Sequence, residues 1–325
     1  MGKKAKVLLL VHPRLKPDRR SQNATTENSI DQALKRLGHK VDVATAEDDL
    51  KSLDRMLVTF QPAIVFNLME EFRGEGVFDF HLASYLEARG VPYTGCNPRG
   101  LALSRNKFLV MKAAQGLGVG VPGSALGVEK GVQKCPKGIE FPLFVKLNRE
   151  HASLGITAKN RVRTDRQLQA VCRRLRRDYH GRILIQQFVS GDDVTVSLWG
   201  NRKIEVFSPW RLRLPSADDF ATEHLKFTPS YRRKHSITAE KYSGDFGKEL
   251  RFNAEKVFST LDLSGYARMD FRITREGQAY LVDVNANPSL SETEDFADSA
   301  RAEGYSYFEV IQNVVRLGLE YQPQV

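Results

Sequence analysis

A chain of 325 residues is too long for one ordinary core and suits two or three packed domains. With 41% hydrophobic and 27% charged side chains it has the composition of a globular protein and not of a disordered one. The net charge of +10 would attract nucleic acid, anionic membrane or phosphorylated small molecules, but no zinc-finger spacing or aromatic RNP-like segment accompanies it, so no nucleic-acid partner is expected.

The longest apolar run near the start, Val7 to Val11, falls short of the roughly 20 residues of a membrane span and the roughly 7 of a signal sequence's apolar segment. It reads as a buried first strand, Lys6 to Val11, of a cytoplasmic protein with no membrane partner. Asn28 to Leu37 carries Ile30, Ala33, Leu34 and Leu37 at helical spacing, and Gly38 follows as its cap. Val41 to Ala44 and Ala63 to Asn67 read as strands, and Phe78 to Arg89 as a helix. This alternation predicts a parallel sheet flanked by helices. Cys96, Cys135 and Cys172 are far apart and odd in number, so they read as free thiols.

A helix is expected over Ser104 to Gln115, then a turn region from Gly116 to Gly123. Gly118 to Gly123 fits the dinucleotide pattern G-x-G-x-x-G but follows a helix instead of a strand, and so reads as a helix stop. Gly247-Lys248 lacks the leading glycine and the final Ser or Thr of a P-loop. Leu143 to Lys146 and Ile183 to Gln186 are apolar strands. The basic run Arg173, Arg174, Arg176 and Arg177 lies on a helical stretch beside Val171 and Leu175, a solvated helix face. Thr195 to Trp199 and Ile204 to Phe207 form a strand pair around Gly200-Asn201. Residues Arg211 to Asp245 are polar and read as an irregular lid or binding loop. Helices follow at Lys248 to Thr260 and, near the end, at Tyr307 to Leu317.

The most informative stretch is Gly265 to Pro288, which reads as a β-hairpin. Met269, Phe271 and Ile273 alternate with Arg268, Asp270 and Arg272, and Val282 and Val284 with Asp283 and Asn285. A two-residue turn at Glu276-Gly277 places Asp270 opposite Asp283 and Arg268 opposite Asn285, all on one face. Facing carboxylates repel unless a cation or proton separates them. Asp270, Asp283 and Asn285 offer only oxygen ligands, which suits Mg²⁺ shared with phosphates. The spacing alone equally allows a solvated face on which Arg268 and Arg272 neutralise the acids. Lys146, closing an apolar strand, is either buried against an anion or snorkelling at the surface.

Arg268-Met269-Asp270 followed by Asp283-Val284-Asn285-Ala286-Asn287-Pro288 resembles the metal-binding end of the ATP-grasp fold, most closely the D-alanine–D-alanine ligase family. The likeness continues upstream through Val65 to Leu68, Gly74 to Gly76, Val91 to Gly95 and Asn106-Lys107, and covers nearly the whole chain. It implies an α/β and α+β protein with the ATP-grasp fold. A Rossmann-like N-terminal parallel-sheet domain (1–103) would bind substrate, and a central domain (104–190) and a C-terminal domain (191–325) would clamp ATP. The implied activity is an ATP-dependent carboxylate–amine ligase that passes through an acylphosphate, with small-molecule carboxylate and amine substrates.

The resemblance gives ATP contacts to Lys107, Lys146, Gln186, Gln187, Phe188, Val189 and Asp193, and a lid lysine to Lys226. It implies metal ligation of Mg²⁺, or Mn²⁺, by Asp270, Asp283 and Asn285, and catalytic roles for Arg268, Lys146 and the phosphate-contacting Ser153. Homodimers are common in the family. The departures gather on the substrate side. Asp283 stands where the family has Glu, Ala152 where it has Ser, and Phe227 where it has a lid tyrosine. Ser289 and Glu294 replace the glycine and serine that grip a terminal carboxylate. A related ligase for other amino-acid or carboxylate substrates, and a non-catalytic ATP-binding module, stay open beside the ligase.

Overall fold

The structure is a computed structural model and describes residues 4–17, 25–129, 131–150, 154–179, 181–214, 238–242 and 246–323. Ser153, Lys226, Ala152 and Phe227, and most of the expected lid, lie outside these residues.

Three sheets make up the architecture. The first is parallel, in the order β2 (Lys40–Thr45), β1 (Lys6–Val11), β3 (Ile64–Asn67). Central β1 buries Val7 to Val11 completely, as a strand covered on both faces must. Helix α1 (Thr26–Arg36) starts at Thr25, whose hydroxyl accepts from Asn28 N–H at 3.3 Å, and ends beside Gly38 in the left-handed region. Helices α2 (Lys51–Thr59) and α3 (Asp79–Ala88) complete this layer. The sequence reading overlooked α2, which has only Leu53 among its buried residues and so gives a weak apolar stripe.

The helix expected over Ser104 to Gln115 is α5 (Lys107–Gly116), and a further helix, α4 (Pro98–Arg105), which the sequence reading did not include, precedes it. Asn106 separates them and caps α5, accepting from Leu109 N–H at 3.3 Å. Gly118, at φ +77°, closes α5 as the helix stop foreseen for that motif. Gly120 lies so close to the carbonyl of Ala279 that a Cβ would sit 2.4 Å from it.

The second sheet is antiparallel, ordered β4 (Ser124–Leu126), β7 (Ile183–Gln187), β5 (Leu143–Leu147), β6 (Arg161–Val162). Leu143, Val145 and Leu147 pack with Leu168, Val171, Cys172 and Leu175 of α6 (Asp165–Tyr179). Alternation then turns Phe144 and Lys146 to the other face.

The third sheet runs β11 (Thr238–Lys241), β10 (Trp210–Arg213), β8 (Asp192–Gly200), β12 (Gly265–Ile273), β13 (Ala279–Asn285), with β9 (Ile204–Val206) on β8. Strands β10 and β11 correct the expectation that 211–245 is irregular throughout: Trp210 to Arg213 pair antiparallel with Thr238 to Lys241. One face of this sheet packs with α5 and α7 (Gly247–Thr260). Helices α8 (Asp295–Ala302) and α9 (Tyr307–Glu320) follow. Helix α9 starts at a Ser306–Glu309 capping box and joins the first sheet to Trp199 and Tyr266 of the third in one core. Among the described residues no helix is long and apolar enough to cross a membrane. The three cysteines are free, and burial pushes the thiols of Cys96 and Cys172 up to about 12 and about 11.

Candidate active site

The faces left bare by these packings surround one cavity of about 1010 Å³. Its centre is the β12–β13 hairpin. Arg268 pairs with Asn285 and Asp270 with Asp283, as the spacing suggested. The route to that register differs from the expected one. The turn is not a two-residue turn at Glu276-Gly277: Thr274 N–H donates to Gln278 at 2.9 Å, and Gly277 takes a φ of +82°. Register shifts by one between Asp270 and Phe271, where Val282 is the extra residue of a bulge. The longer turn and the bulge cancel, so the two carboxylates still meet. The bulge also presents the Val282 carbonyl to Lys146, whose Nζ donates to it at 2.8 Å.

Lys107 occupies the first position of α5 and is only 3% exposed. A cation at a helix N-terminus opposes the helix dipole, so its placement costs stability and needs an anion nearby. Asp283 supplies one, with Nζ 2.6 and 2.9 Å from its two oxygens. Asn148 ties α5 to β5. Its carbonyl and side-chain oxygens accept from Lys107 and Phe108 N–H at 3.1 and 2.9 Å, and its Nδ2 donates to Asn106 at 2.9 Å. The two lysines therefore reach the same hairpin, Lys107 from helix α5 and Lys146 from strand β5.

Arg268 grips Asp270 with Nε and Nη2 at 2.8 and 3.1 Å and reaches Asp295 at 3.5 Å. Burial alone would lower its pKa, but Asp270, Asp295 and Asp283 outweigh that and raise it. Asp270 and Asp283 thus face each other with cationic side chains against both. That is the behaviour of a site that demands positive charge. Two carboxylates and the Asn285 amide are an all-oxygen set, which fits Mg²⁺ or another hard divalent ion. Among the described residues no three His, Cys, Asp or Glu side chains gather for a metal.

At one end of the cavity lie Gln186, Gln187, Phe188, Val189 and Asp193. Gln186 is buried and donates to Ser124 at 3.3 Å, while Phe188 N–H donates to the Pro142 carbonyl at 2.9 Å. Arg272 organises this end. Its Nε donates to the Val189 carbonyl at 3.0 Å, its Nη1 to Asp193 at 2.7 Å, and its guanidinium lies over the Phe188 ring. No role at this end was foreseen for Arg272, because its partners come from β8 and the segment just before it, which no local turn connects to β12.

At the other end are Glu27, Glu70, Glu71, Glu75 and Asp79 on the N-terminal side and Ser289, Glu294, Asp295 and Asp298 on the C-terminal side. Arg105 donates to Asp79 at 2.6 Å and to the Glu70 carbonyl at 2.9 Å, and both members of the ion pair are buried. Desolvation raises the Asp79 pKa against the lowering effect of Arg105. Glu70 is open to the water of the cavity but closely surrounded by protein. Desolvation raises its pKa, Arg105 opposes this, and Glu27, Asp79 and Glu71 add to it.

All the described candidates from the sequence thus line one cavity. A family model described as D-ala D-ala ligase C-terminus matches residues 122–316, more than half of the chain. The chain is 28% identical over 297 residues to the uncharacterized protein y4sG of Sinorhizobium fredii, covering 89% of this chain and 85% of that one. It is 27% identical over 291 residues to the D-alanine–D-alanine ligase of Aquifex aeolicus, covering 89% and 93%. The crystal structure of D-alanine–D-alanine ligase from Bacillus anthracis complexed with ATP superposes with a TM-score of 0.74 at 17% identity, over 97% of each chain, and has the same fold. The chain belongs to the D-alanine–D-alanine ligase family, whose members have the ATP-grasp fold and are ATP-dependent ligases that form an amide bond.

Proposed function

We propose that this chain joins a carboxylate to an amine through an acylphosphate, using ATP, and that its substrates are not a pair of D-alanines. The facing of Asp270 and Asp283, with Lys107 and Lys146 on the same hairpin, carries the proposal. The nucleotide lies between the second and third sheets, its base against Gln186 to Val189 and its ribose near Asp193. Residues 1–103, 104–190 and 191–325 act as the substrate-side domain and the two halves of the clamp.

Lys107 and Lys146 give up their present partners to phosphate oxygens, and Asp270, Asp283 and Asn285 hold Mg²⁺, or Mn²⁺. The bound metal would supply the charge that balances the phosphates during transfer. A substrate carboxylate oxygen then attacks the γ-phosphorus as the bond to the β-phosphate oxygen breaks, giving ADP and an acylphosphate. The amine nitrogen adds to the acyl carbon, loses a proton, and expels phosphate to leave the amide. Arg268, held by Asp270, faces the negative charge that develops on the acyl oxygen. Free thiols and dependence on ATP suit the cytoplasm.

Ser289 and Glu294 at the places of the carboxylate grip support substrates other than two D-alanines. A phosphate-release screen over D- and L-amino acids and other carboxylates, with hydroxylamine as the trapping amine, tests the chemistry. ATP- and Mg²⁺-dependent hydroxamate, identified by mass spectrometry, is the expected product. Nucleotide binding with no hydroxamate from any carboxylate would reduce the chain to an ATP-binding module.

A further inference from the structure

A short link, residues 188–191, joins the second sheet to the third, between the end of β7 at Gln187 and the start of β8 at Asp192. Both sheets fasten it. From the second, the Pro142 carbonyl accepts from Phe188 N–H at 2.9 Å, and the Arg161 guanidinium of β6 lies 5.1 Å from the centre of the Phe188 ring. From the third, Arg272 of β12 reaches across. Its Nε donates to the Val189 carbonyl at 3.0 Å, and its guanidinium lies 5.6 Å from the centre of the Phe188 ring. The same guanidinium donates through Nη1 to Asp193 at 2.7 Å, its direct neighbour across the β8–β12 pair. Gly191 lets the link lie this close to β12, since a Cβ there would collide with the Ile273 carbonyl.

Arg272 is 5% exposed, and both it and Asp193 line the cavity. A buried ion pair adds little stability over a well-packed apolar pair of similar volume, so stability alone does not account for a guanidinium here. What the guanidinium supplies is geometry. It is a planar fork with fixed donor directions, and contacts to Val189, Phe188 and Asp193 at once leave it little freedom. Those three residues are the wall against which the base and ribose are placed above. A carboxylate that accepts from ribose hydroxyls binds them best when its oxygens are already fixed, and a charge-assisted hydrogen bond from Arg272 fixes Asp193.

Resting on the nucleotide placement proposed above, we infer that Arg272 is a positioning residue of the nucleotide site, which sets the preference for an intact ribose by holding Asp193 and anchors the link beside the base through Val189 and Phe188.

Calorimetric titration of the full chain with ADP and with 2′,3′-dideoxyADP, both with Mg²⁺, tests this without turnover. The two ligands differ only in the ribose hydroxyls. The parent is expected to prefer ADP by at least about 10-fold, the scale of one charge-assisted hydrogen bond. In Arg272→Met that preference is expected to fall to within about threefold, because the Asp193 carboxylate is no longer held. A merely structural role for Arg272 would weaken both nucleotides by the same factor and leave their ratio alone. A thermal melt reports whether the variant folds, and Arg272→Gln takes its place if it does not. A parent that binds the two nucleotides alike, or a folded variant with the parent's preference, would overturn the inference. No saturable binding of ADP would end both this inference and the ligase function. A protein whose preference depends on Arg272 but which forms no hydroxamate keeps this inference and loses the ligase function. One that forms hydroxamate with a preference indifferent to Arg272 does the reverse.

Discussion

Asp270→Asn is expected to lower turnover by about a thousandfold or more while leaving the protein folded. The exchange keeps the size of the side chain and removes one charge. In the structure that charge holds Arg268 through two hydrogen bonds at 2.8 and 3.1 Å and faces Asp283 across the hairpin. Asparagine can still accept from Arg268, and Arg268 still has Asp295 at 3.5 Å. The fold therefore loses little, while a hard cation loses an anionic ligand. Electrostatic stabilisation of charge in transfer is worth several kcal/mol in a site of this kind, and about 1.4 kcal/mol is tenfold in rate. The measurement is steady-state ADP release with saturating carboxylate and Mg²⁺, beside a thermal melt. Activity within a few-fold of the parent would remove Asp270 from the metal site.

Arg105→Met should act on stability instead. Arg105 and Asp79 form a buried pair at 2.6 Å, and methionine would leave the Asp79 carboxylate buried without its cation. Such a loss costs about 3–5 kcal/mol. The cost should depend on pH. Asp79 already has a raised pKa because it is desolvated, and Arg105 is what lowers it. Without Arg105 it rises further. A carboxyl whose folded-state pKa is raised adds stability below its unfolded value, near 3.8, and loses it as pH climbs through the folded value. The deficit of the variant should therefore be smaller at pH 5 than at pH 8. Urea unfolding at both values measures it, and an equal deficit at the two would show that Asp79 is not the group left exposed to the loss.

Much of the fold was legible because its signals are local. The unbroken apolar run of β1, the helical spacing of α1 and the alternation in β12 each follow from one short segment. The hairpin register was legible for a less secure reason. The turn is longer than expected, and the bulge at Val282 restores the count, so Asp270 and Asp283 meet although neither feature could be read from the sequence. Helix α4 went unread and α5 was expected to begin three residues early, at Ser104, because Asn106 separates the two without Gly or Pro. Strands β10 and β11 were hidden in polar sequence, since Arg211 and Arg213 gain their place through Glu240 across the pair.

The parts of the site that went unread are all non-local. Arg272 finds Asp193 because β12 lies beside β8, a pairing that no turn connects. Arg105 finds Asp79 because α3 and α4 pack together. Asn148 matters because β5 ends beside the start of α5. Such residues look like ordinary polar side chains until the topology brings their partners to them.

Growing crystals with Mn²⁺ and a non-hydrolysable ATP analogue, and locating the metal by its anomalous scattering, bears most directly on the site. The expected map places Mn²⁺ between Asp270 and Asp283, with Lys107 moved from Asp283 to a phosphate oxygen and Lys146 from the Val282 carbonyl to another. Metal and phosphates bound away from both lysines, with the Lys107–Asp283 pair intact, would contradict it.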